Sequence, residues 1–141
     1  MARVSNPQEN DIGPAAQPSN GKTILLAEDD PFIERMYHTK LDGAGFTVIS
    51  VNNGRDAYEQ IKSSQPDLTM LDVMMPELTG FQVVAALKAD GELARHKIMM
   101  LTNSANPKDR QQAADLGVDY FIKSDLTPRE VLDHINQKLG L

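Results

Sequence analysis

From Lys22 onward, short apolar runs alternate with longer segments in which apolar residues recur every three or four positions. Residues every three or four positions lie on one face of a helix, whereas short runs bounded by turn residues are typical of buried strands. The apolar runs cover residues 22–27, 46–51, 67–72, 98–102 and 119–122. Because strands and helices alternate strictly, we predict a single parallel sheet with right-handed crossovers and helices on both faces, an α/β fold.

Cap and turn residues set the boundaries of the predicted helices. Asp30 is suited to the N-cap of the first helix, with Pro31 at its first position, and the Gly43-Ala44-Gly45 stretch ends it. Thr127 and Glu130 have the spacing of a capping box at the last helix. The other helices are predicted at 54–63, 80–89 and from 106–107 to 116–117. The residues expected to face the core are Ile33, Met36, Tyr37, Lys40, Leu41, Ala57, Tyr58, Ile61, Phe81, Val84, Leu87, Val131, Leu132, Ile135 and Leu139.

Residues 1–21 differ in composition from the rest of the chain. They contain three prolines, two glycines, several Asn and Gln residues and only scattered apolar side chains. Such a segment buries too little apolar surface to offset its conformational entropy. We therefore predict a disordered N-terminal tail over 1–21 and one domain over 22–141, with a peptide that docks on a partner as the alternative for the tail.

Composition and charge exclude several classes of protein. The 141 residues suffice for one domain with its own core, and the lack of cysteine excludes disulfides and thiolate metal sites. A net charge of −6 argues against broad binding of nucleic acid, which requires clustered Lys and Arg. No apolar run approaches the length of a membrane span, and the N-terminus lacks the apolar stretch of a secretory signal. We expect a cytoplasmic protein without a membrane partner.

Charged residues follow three of the predicted strands. The run Glu28-Asp29-Asp30 follows the first strand, Asp72 closes the third, and Lys123 closes the fifth. The carboxyl ends of parallel strands share one edge of the sheet, where ligands bind, so these side chains are expected to converge. Crowded acids repel each other unless a cation neutralises them, and Mg²⁺ prefers oxygen ligands. The sequence thus predicts a magnesium site beside a lysine.

The same residues resemble those of a known family. Glu28-Asp29, the segment Asp72-Val73-Met74-Met75-Pro76 with Gly80, Thr102, and Tyr120-Phe121-Ile122-Lys123 together resemble the receiver domain of two-component response regulators. The resemblance covers about residues 22–140 and is closest to stand-alone receivers of the chemotaxis-regulator kind. It implies a flavodoxin-like (βα)5 fold whose five parallel strands lie in the order 2-1-3-4-5.

The resemblance also implies a reaction and a ligand set. Asp72 is expected to take a phosphoryl group from the phosphohistidine of a sensor kinase or a histidine phosphotransfer protein, as carboxylates do when they form acyl phosphates. Asp29, Asp72 and the backbone carbonyl of Met74 are expected to bind Mg²⁺, with Glu28 acting through water. Asp30 is left as the helix cap. Beyond accepting and losing its own phosphoryl group, the chain is not expected to be an enzyme.

Three more residues have roles implied by the family. Lys123 is expected to pair with a phosphoryl oxygen, and the Thr102 hydroxyl to hydrogen-bond the new phosphoryl group. Tyr120 is expected to change rotamer when Thr102 moves. The chain departs from the family at Ser124, where proline in a cis peptide is usual, so we predict a trans or strained Lys123–Ser124 bond. It also departs at Asn103, where the family commonly has a small residue.

Other classes of protein share parts of this pattern. A flavodoxin-type carrier has the same topology, but Glu28-Asp29-Asp30 would repel the phosphate of its cofactor. A haloacid-dehalogenase-like phosphohydrolase needs a second aspartate at the position of Met74. A pseudo-receiver or adaptor that works without phosphorylation would normally lack one of the acids or the lysine, and all are present.

The expected partners are proteins. Because the sequence ends at Leu141, soon after the last predicted helix, we expect a stand-alone receiver without a DNA-binding output domain. It would act as a relay intermediate or as a switch that binds a downstream target. A monomer or a weak homodimer is expected.

Overall fold

The computed structural model describes residues 18–141 as five parallel strands flanked by helices. The predicted tail lies mostly outside these described residues. In chain order the strands are β1 Thr23–Ala27, β2 Thr47–Val51, β3 Leu68–Leu71, β4 Ile98–Thr102 and β5 Asp119–Ile122. They lie side by side in the order β2-β1-β3-β4-β5, which confirms the predicted flavodoxin-like arrangement. Ile24 of β1 is in register with Val48 of β2 and with Leu68 of β3.

In residues 18–141, four helices connect the strands and a fifth follows β5, each with boundaries set by its caps. They are α1 Pro31–Gly43, α2 Gly54–Ser64, α3 Gly80–Ala89, α4 Pro107–Leu116 and α5 Pro128–Leu139. The Asp30 carboxylate accepts hydrogen bonds from the first turn of α1, which confirms the predicted cap. A capping box opens α5 through Thr127 and Glu130, also as predicted. Short 3-10 turns at Leu93–Arg95 and Lys123–Asp125 were not predicted, because a single turn leaves no periodic pattern.

Two apolar layers cover the two faces of the sheet. Leu25 and Leu71 belong to the layer beneath α2, α3 and α4, while Ile24 and Met70 belong to the layer beneath α1 and α5. Alternate residues of one strand therefore enter different layers, as strands buried on both faces require. No helix formed by residues 18–141 has the length and apolar character needed to cross a membrane.

Two residues of α1 that the pattern predicts to face the core, Met36 and Lys40, are not fully buried. Tyr37 and Leu41 are buried, but Met36 is 41% exposed and Lys40 is only partly buried. Tyr37 and Leu41 are four residues apart and occupy the middle of the apolar stripe, so Met36 falls at its margin. In α3, Val83 is buried as well as the predicted Val84, which makes the apolar face wider than expected.

A close backbone contact fixes the segment between β3 and α3. The Gly80 N–H donates to the Val73 carbonyl at 2.8 Å. A Cβ atom at Gly80 would lie 2.3 Å from the Asp72 carbonyl oxygen, closer than atoms can pack. The absence of a side chain at Gly80 therefore lets α3 begin directly against Asp72 and holds that residue at the edge of the sheet.

Candidate functional site

Three strand ends bring opposite charges together at the carboxyl edge of the sheet. Glu28 directly follows β1, Asp72 follows β3 and Lys123 follows β5. The Lys123 ammonium donates to Glu28 Oε1 at 2.6 Å and to Asp72 Oδ2 at 3.0 Å. Both carboxylates are buried, and the Lys123 side chain is only 11% exposed. The structure thus brings together, as predicted, residues separated by as many as 95 positions.

Asp29 completes an oxygen-only cluster. One carboxylate oxygen each from Glu28, Asp29 and Asp72 lies within 4.8 Å of the others. Glu28 and Asp72 are buried, and the exposed Asp29 places its carboxylate on the solvent side. Three carboxylates beside one ammonium leave a formal charge of −2, and hard oxygen donors are the ligands that Mg²⁺ prefers. The donor set therefore fits a magnesium ion, which Glu28, Asp29 and Asp72 would hold.

Burial and the charges of neighbouring groups shift the pKa values of Glu28 and Lys123. Burial is the main cause that raises the pKa of Glu28; the Asp72 charge adds to it, and the hydrogen bond from Lys123 opposes it. For Lys123, burial alone would lower the pKa, but the hydrogen bond to Glu28 and the charge of Asp72 outweigh it and raise the pKa. Lys123 is therefore charged, and acids outnumber bases in a poorly hydrated site.

The three consecutive acids have different surroundings. Glu28 is drawn inward, and its Oε2 also accepts from the Asp30 N–H at 3.2 Å. Asp30 turns away to cap α1 by accepting from Phe32 N at 2.9 Å. Only Asp29 between them faces the opening of the site. The structure therefore separates the cap from the cluster as the sequence predicted.

Within residues 18–141, Thr102 and Tyr120 form no hydrogen bond to this cluster. Thr102 ends β4 as a buried residue, and its Oγ1 accepts from the Ser104 N–H at 3.3 Å. The buried Tyr120 donates its hydroxyl to the Ser104 carbonyl at 2.7 Å. Among residues 18–141, no hydrogen bond joins Thr102 to Asp72 or Lys123. The two predicted switch residues are thus connected to each other through Ser104.

The loops around the cluster hold the remaining predicted positions. The Met74 side chain is largely exposed, and its backbone carbonyl accepts no hydrogen bond from residues 18–141. The Lys123–Ser124 bond is trans, as predicted, since the described chain has no cis peptide. It opens the 3-10 turn Lys123–Asp125. Asn103 is exposed beside the site, where it joins Ile33, Met36, Tyr37, Lys123, Ser124, Leu126 and Pro128 in lining a groove of about 280 Å³.

Two residues near the site were not recognised from the sequence as functional candidates. Tyr37 was expected only as a core residue, yet it also borders a small cavity beside Glu28 and Asp72. Burial raises its pKa, and the nearby charge of Lys123 acts in the opposite direction. Ser104 gave no signal, because an isolated serine in a loop is typical of surface turns. Its contacts depend on how β4, β5 and α4 pack, which local sequence does not reveal.

A comparison with known families identifies the family to which this fold belongs. The response regulator receiver domain matches the chain over residues 24–136. The chain belongs to the response regulator receiver domain family. Receiver domains are signalling modules of two-component systems, and the cluster of Glu28, Asp29 and Asp72 fits the magnesium site expected of them.

Curated relatives of this receiver domain are larger proteins. The chain is 36% identical over 121 residues to the transcriptional regulatory protein GltR of Pseudomonas aeruginosa, covering 86% of this chain and 50% of the relative. It is 31% identical to the phosphate regulon transcriptional regulatory protein PhoB of the same organism, covering 84% of this chain and 52% of the relative. The chain therefore spans about half the length of these curated relatives.

Solved structures agree with the receiver fold. The chemotaxis protein CheY4 of Vibrio cholerae is similar with a TM-score of 0.75 and 26% identity, covering 84% of this chain and 98% of that one. A Francisella response regulator receiver domain has a TM-score of 0.77 at 21% identity, covering 85% of this chain and 98% of that one. The second likeness supports the fold alone, and both confirm the fold expected from the resemblance.

Proposed function

We propose that this receiver domain is a phosphoacceptor switch that takes a phosphoryl group from a phosphohistidine donor onto Asp72 with the help of Mg²⁺. The observation that carries the proposal is the buried Lys123 ammonium shared by Glu28 and Asp72 at 2.6 and 3.0 Å. A structural ion pair needs one acid for one base. Here a second acid is buried at the same lysine, and an oxygen of a third, Asp29, lies within 4.8 Å of oxygens of both, which suits a site that receives further positive charge.

The reaction is a displacement at phosphorus. A carboxylate oxygen of Asp72 forms the new P–O bond, and the P–N bond to the donor imidazole breaks, with its electron pair going to the ring nitrogen. Bound Mg²⁺ would neutralise charge on the phosphoryl oxygens and on the carboxylates of Glu28, Asp29 and Asp72. Lys123 is already held against the nucleophile and is positioned to pair with a phosphoryl oxygen.

Thr102 is the proposed phosphoryl sensor. Its Oγ1 already accepts from the Ser104 N–H, so the hydroxyl hydrogen stays free to be donated to a phosphoryl oxygen. We propose that the Thr102 side chain then turns toward Asp72 and that Tyr120 changes rotamer in response. The surface near α4, β5 and α5 would change with it and bind a target protein differently.

The donor is proposed to be a protein that approaches over the start of α1. Phe32 follows Asp30 and Pro31 at the edge of the site and is 83% exposed. Met36 lies one turn further along α1 and lines the groove that also contains Lys123. Large exposed apolar side chains next to a polar site are typical of a protein contact. A histidine kinase or a histidine phosphotransfer protein has the required phosphohistidine.

The output is also proposed to act through protein contacts. The printed names of the curated relatives describe transcriptional regulation by whole proteins, of which the matching region is about half. The net charge of −6 gives this chain little attraction for phosphate backbones. We therefore propose that residues 22–141 themselves bind proteins and not nucleic acid, as a monomer or weak homodimer in the cytoplasm.

A comparison of a protein donor with a small-molecule donor separates the phosphoryl-transfer reaction from the docking of the donor protein. A purified phosphohistidine protein and acetyl phosphate should both modify the wild-type chain when Mg²⁺ is present. Phe32→Ala should slow transfer from the protein donor about tenfold or more, as expected for a hot-spot contact, and leave acetyl phosphate transfer unchanged. Leu141→Ala, which alters an exposed apolar residue beyond α5, is the matched control. If Asp72→Asn were modified as fully as the wild type by either donor, the proposal would be wrong.

A further inference from the structure

Ser104 contacts three different elements through three different atoms. Its N–H donates to Thr102 Oγ1 at 3.3 Å, and its carbonyl accepts from the Tyr120 hydroxyl at 2.7 Å. Its own hydroxyl donates to Asp109 Oδ2 at 2.6 Å. Thr102 ends β4, Tyr120 belongs to β5 and Asp109 lies in the first turn of α4. One loop residue thus connects two strands with the start of a helix.

The start of α4 is also held by Arg110. The guanidinium carbon of Arg110 lies 5.6 Å from the centre of the Tyr120 ring, a distance at which cation–π attraction acts. The same ring packs against Phe81, with the centres 6.3 Å apart and the planes inclined by 15°. Consecutive α4 residues therefore contact both the connecting residue and one switch residue: Asp109 binds Ser104, and Arg110 lies over Tyr120. Any movement of Tyr120 must disturb Arg110.

We propose that Ser104 is a positioning residue of the switch, and that its hydroxyl ties the first turn of α4 to Thr102 and Tyr120. This inference rests on the proposed function, because the phosphoryl group is what would draw Thr102 toward Asp72. When Thr102 turns, its contact with the Ser104 N–H changes, and Ser104 transmits the change to Asp109 through its side chain. A coupled movement of Thr102 and Tyr120 would not by itself move α4. The contact of Ser104 with Asp109 and that of Arg110 with the Tyr120 ring connect this movement to the helix.

A simpler role would be purely local. Asp109 is the acidic residue in the first turn of α4, where a carboxylate is favourable in any case, and the serine could merely stabilise the helix start. In that case Ser104 would contribute equally whether the acidic site is empty or occupied. A coupling role instead makes the contribution depend on occupancy, since a ligand shifts only an equilibrium between states that it binds differently.

Hydrogen exchange at α4 separates the two roles. The amides of residues 108–112 are followed in the whole chain with Mg²⁺, with and without the phosphate mimic beryllofluoride. We expect the mimic to change their exchange rates in the wild type. Ser104→Ala keeps the backbone N–H and carbonyl and removes the hydroxyl, which donates to Asp109 and also accepts from the Asn106 N–H at 3.4 Å. It should reduce that change about threefold or more, in the range expected for lost hydrogen bonds.

A control variant and a second variant of the same contact complete this test. Gln111→Ala removes the bond to Asp115 Oδ1 at 2.9 Å on the same helix and should leave the response to the mimic unchanged. Asp109→Ala removes the acceptor of the Ser104 hydroxyl, so it tests the same tie if Ser104→Ala folds poorly. It should reduce the response in the same direction, and the double variant should add little, because the two residues act as one unit.

The outcomes distinguish this inference from the proposed function. Mass spectrometry of parallel samples treated with acetyl phosphate reports whether Asp72 takes up a phosphoryl group. Suppose that the wild type is modified and that the α4 amides of Ser104→Ala and Asp109→Ala respond to the mimic as strongly as those of the wild type. The inference is then wrong and the proposed function stands. If the wild type takes up neither phosphoryl group nor mimic, the proposed function itself is wrong.

Discussion

The two edges of the sheet use the same charged residue types in opposite ways. At the carboxyl edge, Lys123 and Asp72 are buried and the lysine is shared between two acids. At the amino edge, Lys138 pairs with Asp119 at 2.8 Å, one base for one acid, and both side chains are exposed by about 40%. This pair is balanced in charge and exposed to solvent. The charged cluster at the carboxyl edge is neither balanced nor exposed, and that difference is what we expect of a functional edge.

The pKa values of two glutamates show the same contrast. Burial raises the pKa of Glu28 at the carboxyl edge. Glu92, in the turn that precedes β4 at the amino edge, has a lowered pKa, chiefly because of its hydrogen bond with His96 at 3.2 Å. A raised pKa means that the surroundings disfavour the charged carboxylate, and a lowered pKa means that they favour it. The surroundings therefore favour the charge of Glu92 at the amino edge and disfavour that of Glu28 at the carboxyl edge, chiefly through burial.

The largest expected effect is the difference in the free energy of unfolding when one lysine is removed from each edge. Lys123→Ala leaves two buried carboxylates without their cation, and we expect the free energy of unfolding in metal-free buffer to fall by about 3 kcal/mol or more. Lys138→Ala breaks an exposed pair and should cost about 1 kcal/mol or less. Urea denaturation followed by circular dichroism measures both. Equal costs for the two variants would show that the edges do not differ as described.

Neighbouring acids of the first loop should differ in their effect on Mg²⁺ binding. Asp29→Asn removes a charge from the cluster, and we expect it to weaken Mg²⁺ binding about tenfold, equivalent to about 1.4 kcal/mol. Asp30→Asn removes the same charge one position along, but asparagine caps a helix as well as aspartate does, so binding should change little. Isothermal titration calorimetry with Mg²⁺ checks the pair. If both variants lost affinity to the same extent, general electrostatics would explain the result and a specific ligand role would not.

The two glutamates should shift stability with pH in opposite directions. Glu92, with its lowered pKa, contributes stability above the ordinary value of 4.5 that is lost as the pH falls through its folded pKa. Glu28, with its raised pKa, contributes stability below 4.5 that is lost as the pH rises through its folded pKa. In metal-free buffer, Glu92→Gln should therefore lessen the acid-side loss, and Glu28→Gln should lessen the fall above pH 4.5. Denaturation midpoints from about pH 3 to pH 8 measure both slopes; slopes of the same sign would contradict this assignment.

The sequence was most informative where the hydrophobic pattern coincides with capping residues or with charged residues at strand ends. Strands β4 and β5 and helix α3 have the predicted boundaries, because apolar runs and caps delimit them. The convergence of Glu28, Asp72 and Lys123 followed from one rule about the carboxyl ends of parallel strands. The functional edge could therefore be located before any distance was known.

Side-chain partners outside that rule could not be predicted. Nothing in the local sequence distinguishes Ser104, which joins Thr102 to Tyr120, from an ordinary loop serine. The spacing predicts that Met36 faces the core, but Met36 lies at the margin of the α1 stripe and lines a groove with Lys123, Ser124 and Leu126. These contacts arise from packing between elements distant in sequence, which periodicity does not encode.

The most direct test of the central claim is the intact mass of the protein after incubation with acetyl phosphate. Wild type with Mg²⁺ should gain one phosphoryl group, whereas Asp72→Asn, which keeps the shape but removes the nucleophile, should gain none. Wild type in EDTA should also gain none, because the three carboxylates would then repel the donor without a cation to neutralise them. Full modification of Asp72→Asn, or modification of the wild type that does not depend on Mg²⁺, would contradict the account.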